Sequence, residues 1–225
     1  SKDEFVASIS HELRTPLTVV AGMVDELNEH WQDFTADEVD DLLGHVVEES
    51  RDMQDLIEDL LVAARADIGT VSIAPESVAV REAVDSVVAG LTRRPTQELT
   101  VGGGGELAEA DPVRLRQIMR NLVSNAIRYG GDHIDVGIVR ENGHIHVTVK
   151  DDGSGIPEGQ WESVFEPYAR AHDTGEQPNS VGLGLSVSRK LARLMGGDLR
   201  YRHEDGSVFD LSLPAANSEG EPAHH

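Results

Sequence analysis

The 225-residue chain contains no cysteine. No disulfide staples it and no thiolate can hold a metal in it, which fits a reducing compartment. Basic residues are few: 19 lysines and arginines stand against 41 acids, a formal net charge of −22. A surface so negative repels nucleic-acid phosphates and argues against DNA or RNA as a partner. Also missing is any apolar run near the roughly 20 residues that span a bilayer. There is no signal peptide, no internal repeat and no initiator methionine. The chain opens at Ser1 on residues that already read as helix, so it is expected to be a fragment of something longer. At about 150 residues per domain, one or two domains are expected, with enough chain to bury a core unaided.

The negative charge is unevenly spread. Between residues 25 and 59, Arg51 is the only lysine or arginine. A solvated helix face explains such a run; a docking surface for a basic partner is the alternative. The same region has helical periodicity. Ile9, Leu13, Leu17, Val20, Val24, Leu27 and Trp31 recur at steps of three and four, and Val39, Leu42, Val46, Met53, Leu56, Leu60 and Ala63 follow a near-heptad. Between the runs, Thr35 with Glu38 three residues on has the pattern of a capping box. Two long helices and a short loop make a hairpin. One hairpin cannot bury two apolar seams alone, so two are expected to pair as a homodimeric four-helix bundle.

The period changes after Ile68-Gly69, where a flexible joint is expected. Residues 71–73 read as a short strand and 80–91 as a helix. The four glycines 102–105 read as a turn, because they lack the strand-to-helix setting of a phosphate loop. Asp111-Pro112 supplies an N-cap and an N1 proline for a helix to about Tyr129. Alternating runs at 133–140 and 144–150, joined by Glu-Asn-Gly, read as a hairpin. A helix over 184–195 is stopped by Gly196-Gly197, and strands at 199–203 and 208–213 follow.

Several residues carry chemistry. His11 is two residues from both Ile9 and Leu13, so at 100° per residue it points away from the seam. A neutral imidazole exposed on a rigid helix is a competent nucleophile. Glu12 is placed to hydrogen-bond a ring nitrogen, and Thr15 is one turn away on the same face. An ordinary surface histidine is the alternative. Within 111–129, Arg114, Gln117, Asn121, Asn125 and Arg128 form a polar stripe opposite the apolar Leu115, Ile118, Met119, Leu122, Val123 and Ala126. Asparagines are poor helix formers, and their amide oxygens suit Mg²⁺; a solvated stripe is the alternative. Asp151-Asp152-Gly153-Ser154-Gly155-Ile156-Pro157 leaves a strand. A buried carboxylate there can accept a hydrogen bond from a base, and an ordinary glycine turn is the other reading. Gly182-Leu183-Gly184-Leu185 opens a helix, whose first N–H groups bind phosphate well. The polar stretch 171–181 before it suits a lid.

Taken in order, these pieces resemble the sensor histidine kinase family, within the wider ATPase group that includes Hsp90 and gyrase. SHELRTPL looks like its phosphoacceptor motif and NLVSNAIRY its asparagine motif. DDGSGIP resembles its first glycine motif, VFEPYAR its phenylalanine motif, and SVGLGL its second glycine motif. The resemblance implies an α+β architecture: a dimerisation and phosphotransfer hairpin over 1–68, an ATP-binding α/β sandwich over 69–214 and a disordered tail over 215–225. It also implies ATP and Mg²⁺ as cofactors, with His11 phosphorylated, Glu12 as base and Thr15 serving a phosphatase reaction. Asn125 would hold the metal with Asn121 nearby, while Arg128 and Tyr129 would contact nucleotide. Asp151 would recognise the adenine amino group in a pocket shaped by Gly153, Gly155 and Ile156. Arg170 would approach the γ-phosphate, and Gly182, Leu183 and Gly184 would hold the phosphates. The partner would be a response-regulator receiver domain, and the setting the cytoplasmic part of a membrane-anchored sensor. Arg128 stands where lysine is commoner, and Ser180 where glycine usually opens the second glycine motif. A nucleotide-binding scaffold without turnover, and a chaperone or topoisomerase fragment of the same fold, are the other readings.

Overall fold

The computed structural model describes residues 2–67, 71–167 and 182–216, the side chains of 2–9, 11, 12, 66 and 67 excepted. The chain forms two compact units: one is built on the N-terminal helices, with Gly182 and Leu183 grouped to it, and the other on the described residues of 71–167 and 184–216.

In the first unit, α1 (Lys2–His30) runs through Pro16 without a break and α2 (Ala36–Asp67) packs back against it. The expected capping box sets where α2 begins. Glu38 accepts from the Thr35 N–H and hydroxyl, both at 2.8 Å, and donates its own N–H to Thr35 Oγ1 at 3.3 Å. Those Thr35 bonds, the backbone one foremost, hold the Glu38 carboxyl below its usual value. Pro16, Leu27 and Val62 are buried, and Leu13, Val20, Leu42, Val46, Met53 and Leu56 are partly so.

Much of the apolar surface of the two helices stays uncovered within one hairpin, as expected of seams that a single hairpin cannot bury. Leu17, Val24 and Trp31 stay 58%, 47% and 62% exposed, and Leu43, Val47, Ile57 and Leu61 on α2 stay 46–48% exposed. Residues seven apart drift only about 20° around a helix, so Leu17 and Val24 share a stripe of α1 that α2 does not cover, with exposed Trp31 in the short 3-10 turn just beyond the helix. The expected joint at Ile68-Gly69 lies outside the described residues.

The second unit is a five-stranded sheet of order β2-β4-β5-β7-β6, with a separate β1-β3 pair. Its strands are β1 (Glu76–Ala79), β2 (Glu98–Gly102), β3 (Leu107–Ala110), β4 (His133–Glu141), β5 (His144–Asp151), β6 (Asp198–His203) and β7 (Ser207–Pro214). Only β2 and β4 run parallel; the other pairs are antiparallel. The helices are α3 (Val80–Ala89), α4 (Pro112–Tyr129) and α5 (Gly184–Leu194). Fully buried Leu115, Ile118, Met119 and Leu122 of α4 meet a core shared with Ile134, Ile145, Leu199, Leu211 and Leu213 of the sheet. The expected strand at 71–73 does not form. That segment is irregular, and its Ala74 N–H donates to Asp111 Oδ2 at 3.0 Å instead of to a ladder. Two residues beyond the expected end at 214, placed in the expected tail, belong to this unit, and the rest of that tail lies outside the described residues. Ala215 bridges to Ala108, and the Ala216 N–H donates to Leu107 O at 2.8 Å.

Two local signals set α4 and α5. Asp111 caps α4 by accepting from the Val113 and Arg114 N–H groups at 2.9 and 3.1 Å, satisfying donors that a helix start leaves orphaned. After α5, Gly197 N–H donates to Ala192 O and Gly196 N–H to Arg193 O, at 2.9 and 3.1 Å, the two bonds of a Schellman stop.

Asp198, just beyond that stop, is ringed by Arg189, Arg193 and Arg200 at 3.2, 2.9 and 3.4 Å. Partial burial pushes its carboxyl up, but bonds from Arg189 and Arg193 outweigh this and hold it at about 2. A depressed acid contributes stability above its unfolded pKa and loses it as pH falls through the folded one. Asp198→Asn is therefore expected to cost about 1–2 kcal/mol at pH 7, a figure reduced for solvent screening. Denaturant titrations of variant and wild type should converge as pH drops from about 4 to about 2; a gap that stays constant would remove this ion cluster as the cause.

Candidate functional site

The site of the second unit gathers at the ends of α4 and β5 and the start of α5. Period-2 alternation delivers its carboxylate. Along β5, Ile145, Val147, Val149 and Asp151 all face the core, because successive side chains point to opposite faces of a strand. The last of that buried row is thus an acid, 5% exposed. Burial is the largest influence on Asp151 and raises its pKa. Bonds from the Gly153 N–H, at 2.9 Å, and the Ser207 hydroxyl pull the other way, and the neighbouring Asp152 charge raises it further. Asp152 itself is exposed, accepts from the His133 N–H at 3.0 Å and pairs with His133 Nδ1 at 2.9 Å.

Helix periodicity delivers the amides. Asn121 and Asn125 are one turn apart on α4, and the Asn125 Nδ2 donates to Asn121 Oδ1 at 3.3 Å. Asn121 Nδ2 in turn donates to Ser188 Oγ on α5 at 2.9 Å. Asn121 thus ties the two helices together. The Asn125 bond uses its nitrogen and leaves outside that bond its oxygen, the atom a hard cation takes. Gly184 closes the contact from α5: a Cβ there would come within 2.5 Å of Asn121 Oδ1. Gly155, at φ +71°, occupies a left-handed conformation that side chains disfavour, and Gly153 lies against the Asp151 carboxylate.

The other expected site residues divide as follows. Arg128 and Tyr129 are exposed at the end of α4. The Ile156 main chain is held by Tyr201 and Trp161. Gly182, at φ +66°, and buried Leu183 immediately precede α5. His11, Glu12 and partly buried Thr15 lie on α1 in the first unit, and the side chains of His11 and Glu12 are outside those described. Arg170, Ser180 and the expected lid over 171–181 also lie outside the described residues.

Sequence reasoning missed the residues that brace this site. Gly130 is one: a Cβ on it would meet Asp151 Cβ at 2.7 Å and Ala126 O at 2.4 Å. Two glycines between a helix and a strand were the available signal of close approach. Gln97 is another. Buried before β2, its Nε2 donates to Ile127 O and Gly131 O at 2.9 and 3.1 Å, clasping the end of α4. Ser188 was detectable as a polar residue on the apolar face of α5. Ser207 is register-paired with Asp151 across β5 and β7, and nothing local marks it.

An acid at the end of a core-facing row, a cradle of glycines around it and a pair of helix amides fit an adenine nucleotide with a hard cation. Comparison with known proteins places this site in a family of ATPases. Residues 1–69 match the His Kinase A (phospho-acceptor) domain, and residues 110–217 the histidine kinase-, DNA gyrase B- and HSP90-like ATPase. The chain belongs to the sensor histidine kinase family.

This histidine kinase core is 33% identical over 221 residues to the signal transduction histidine-protein kinase AfsQ2 of Streptomyces coelicolor, covering 93% of the chain and 41% of AfsQ2. It is 34% identical over 224 residues to the sensor histidine kinase MtrB of Mycolicibacterium paratuberculosis, covering 93% of the chain and 39% of MtrB. The chain thus spans less than half the length of either relative. Among solved structures, the catalytic domain of the histidine kinase ThkA matches with a TM-score of 0.55 at 27% identity, over 63% of this chain and 95% of that one. The Acinetobacter baumannii histidine kinase AdeS matches with a TM-score of 0.62 over 92% of this chain and 98% of that one, at 22% identity, a likeness of fold. The second unit of the kinase core is an ATP-binding domain. No helix among the described residues is long and apolar enough to cross a membrane.

Proposed function

We propose that this chain is a kinase core that transfers the γ-phosphoryl group of ATP to His11 and then to an aspartate on a receiver domain. The observation that carries the reading is Asp151, a buried carboxylate set among glycines at the end of β5 and one helix end away from the Asn121–Asn125 pair. In this reading Asp151 accepts the adenine amino group, Arg128 and Tyr129 contact the nucleotide, and Gly182, Leu183 and Gly184 receive its phosphates at the start of α5. Asn125 supplies an amide oxygen for Mg²⁺, which when bound neutralises phosphate charge.

The transfer step balances on His11 and Glu12. One imidazole nitrogen bonds to the γ-phosphorus as the bond to the bridging oxygen breaks. ADP departs with that electron pair, and the proton on the other ring nitrogen passes to Glu12. Arg170 offsets charge on the γ-phosphate. The reaction requires the hairpin and the ATP-binding unit, drawn here at 1–68 and 69–214, to meet. Thr15, on the same helix, serves hydrolysis of the phosphorylated receiver. The uncovered stripe of Leu17 and Val24, the exposed Trp31 beyond it and the counterpart on α2 support pairing of two hairpins into a homodimeric bundle. In this reading the chain is the cytoplasmic part of a membrane-anchored sensor.

Incubation with γ-labelled ATP and Mg²⁺ tests the proposal. Label stable to alkali and labile to acid should accumulate on the protein and transfer to a cognate receiver domain. Nucleotide binding with no covalent label would make the chain a scaffold.

A further inference from the structure

The first glycine motif is held by two aromatic residues that belong to none of the motifs. Residues 153–157 form no strand or helix, so their main-chain groups lack ladder partners and must find others. At Ile156 both are found on side chains. Its N–H donates to the Tyr201 hydroxyl at 2.8 Å, and its carbonyl accepts from Trp161 Nε1 at 3.0 Å. The two rings meet edge to face with centroids 5.9 Å apart, and Tyr201 lies on Phe209 at 5.1 Å. Phe209 touches Phe165 of the phenylalanine motif at 6.4 Å, and the Arg189 guanidinium sits 4.6 Å over that ring. Arg189 also pairs with Glu162 at 2.8 Å, so the far end of the aromatic row is fixed as well. A Cβ on Gly155 would come within 2.6 Å of the His203 ring and 3.0 Å of the Tyr201 oxygen, so the loop lies close against both residues of β6 at its left-handed position.

Tyr201 is buried, and phenylalanine would fill the same core volume. The hydroxyl is therefore surplus to packing and is used on the main chain of the loop. A buried tyrosine or tryptophan needs a partner for its polar end, but here both partners belong to a single residue, at the motif that leads out from Asp151. We propose that Tyr201 and Trp161 are positioning residues of the nucleotide site: they grip Ile156 from both sides and so fix the Asp151–Gly155 stretch in a binding geometry. This rests on the nucleotide-site reading given above. It adds a requirement for two side chains that touch the loop and no reacting atom.

The test compares wild type with Tyr201→Phe and Trp161→Phe in the full chain. ADP affinity by calorimetry should fall about threefold to tenfold in each, the scale of one neutral hydrogen bond. KM for ATP in self-labelling should rise to match, with kcat at saturating ATP unchanged. Trp161 is the only tryptophan of the second unit, so wild-type emission should change on adding ADP. That change should shrink in Tyr201→Phe and vanish in Trp161→Phe. Lower melting temperatures with ADP affinity and KM unchanged would reduce both residues to core packing and overturn the inference alone. A wild-type chain that binds no ADP would instead remove the nucleotide-site reading beneath it.

Discussion

His11→Gln should take up no acid-labile phosphate from labelled ATP, while its affinity for ADP equals that of wild type. The expectation follows from the separate elements that carry the two tasks. Everything proposed to hold the nucleotide lies on α4, β5 and α5 and the loops beside them, and His11 lies on α1. Glutamine keeps a polar, helix-compatible side chain there but has no nitrogen lone pair able to form a phosphoramidate. The loss should therefore be complete in the covalent step and absent in binding. Calorimetry with ADP, run beside the labelling assay, separates the two. Persistent labelling at an acid-labile site would move the phosphoacceptor to one of the other nine histidines.

Asp151→Asn is expected to weaken ATP binding by roughly tenfold to hundredfold, the range for a hydrogen bond to a charged group whose partner is left unmatched. The substitution is nearly isosteric. Asparagine can still accept the Gly153 N–H with its oxygen, but the other carboxylate oxygen becomes an NH₂ group. A donor then meets the exocyclic amine of adenine, itself a donor. Folding should change little by comparison, so melting curves and binding isotherms together distinguish lost recognition from lost structure. The same carboxyl gives a pH signature. Burial, ahead of the Asp152 charge, raises its pKa, with bonds from Gly153 and Ser207 opposing. It is protonated earlier on acidification than an ordinary aspartate, and a protonated oxygen accepts poorly. Affinity for ADP should thus fall on the acid side in wild type, and this dependence should be absent in Asp151→Asn. Equal ATP affinity for the two proteins at pH 7 would remove Asp151 from adenine recognition.

What was legible in the sequence was what local chemistry fixes. The Asp111-Pro112 cap, the Thr35–Glu38 box, the Asn142-Gly143 turn and the Gly196-Gly197 stop each mark an element boundary with residues that suit little else. The long elements between them followed. Short elements with no such marks were missed or misplaced. β1, β2 and β3 are four or five residues each, too short for a period to stand out, and their pairing is decided by partners far along the chain. The hairpin seams were legible as apolar spacing, but not which residues α2 covers and which it leaves exposed, because one helix read alone does not say which neighbour covers which side. In the site, Asp151 and the asparagines stood out because acids and amides in those settings are locally unfavourable. Gln97, Ser207, Tyr201 and Trp161 are ordinary residues until the fold brings them to the glycine loop, and no spacing announces them.

The row Ile145, Val147, Val149, Asp151 constrains how this strand can vary in length. One residue added or removed between Ile145 and Asp151 would turn the acid to the opposite face of the sheet. The segment between the Asn142-Gly143 turn and the acid therefore tolerates change only in steps of two. The turn itself lies upstream of that count and is free to lengthen. Insertions that spare nucleotide binding should accordingly be found at the tip of this hairpin, and in even number along its second arm.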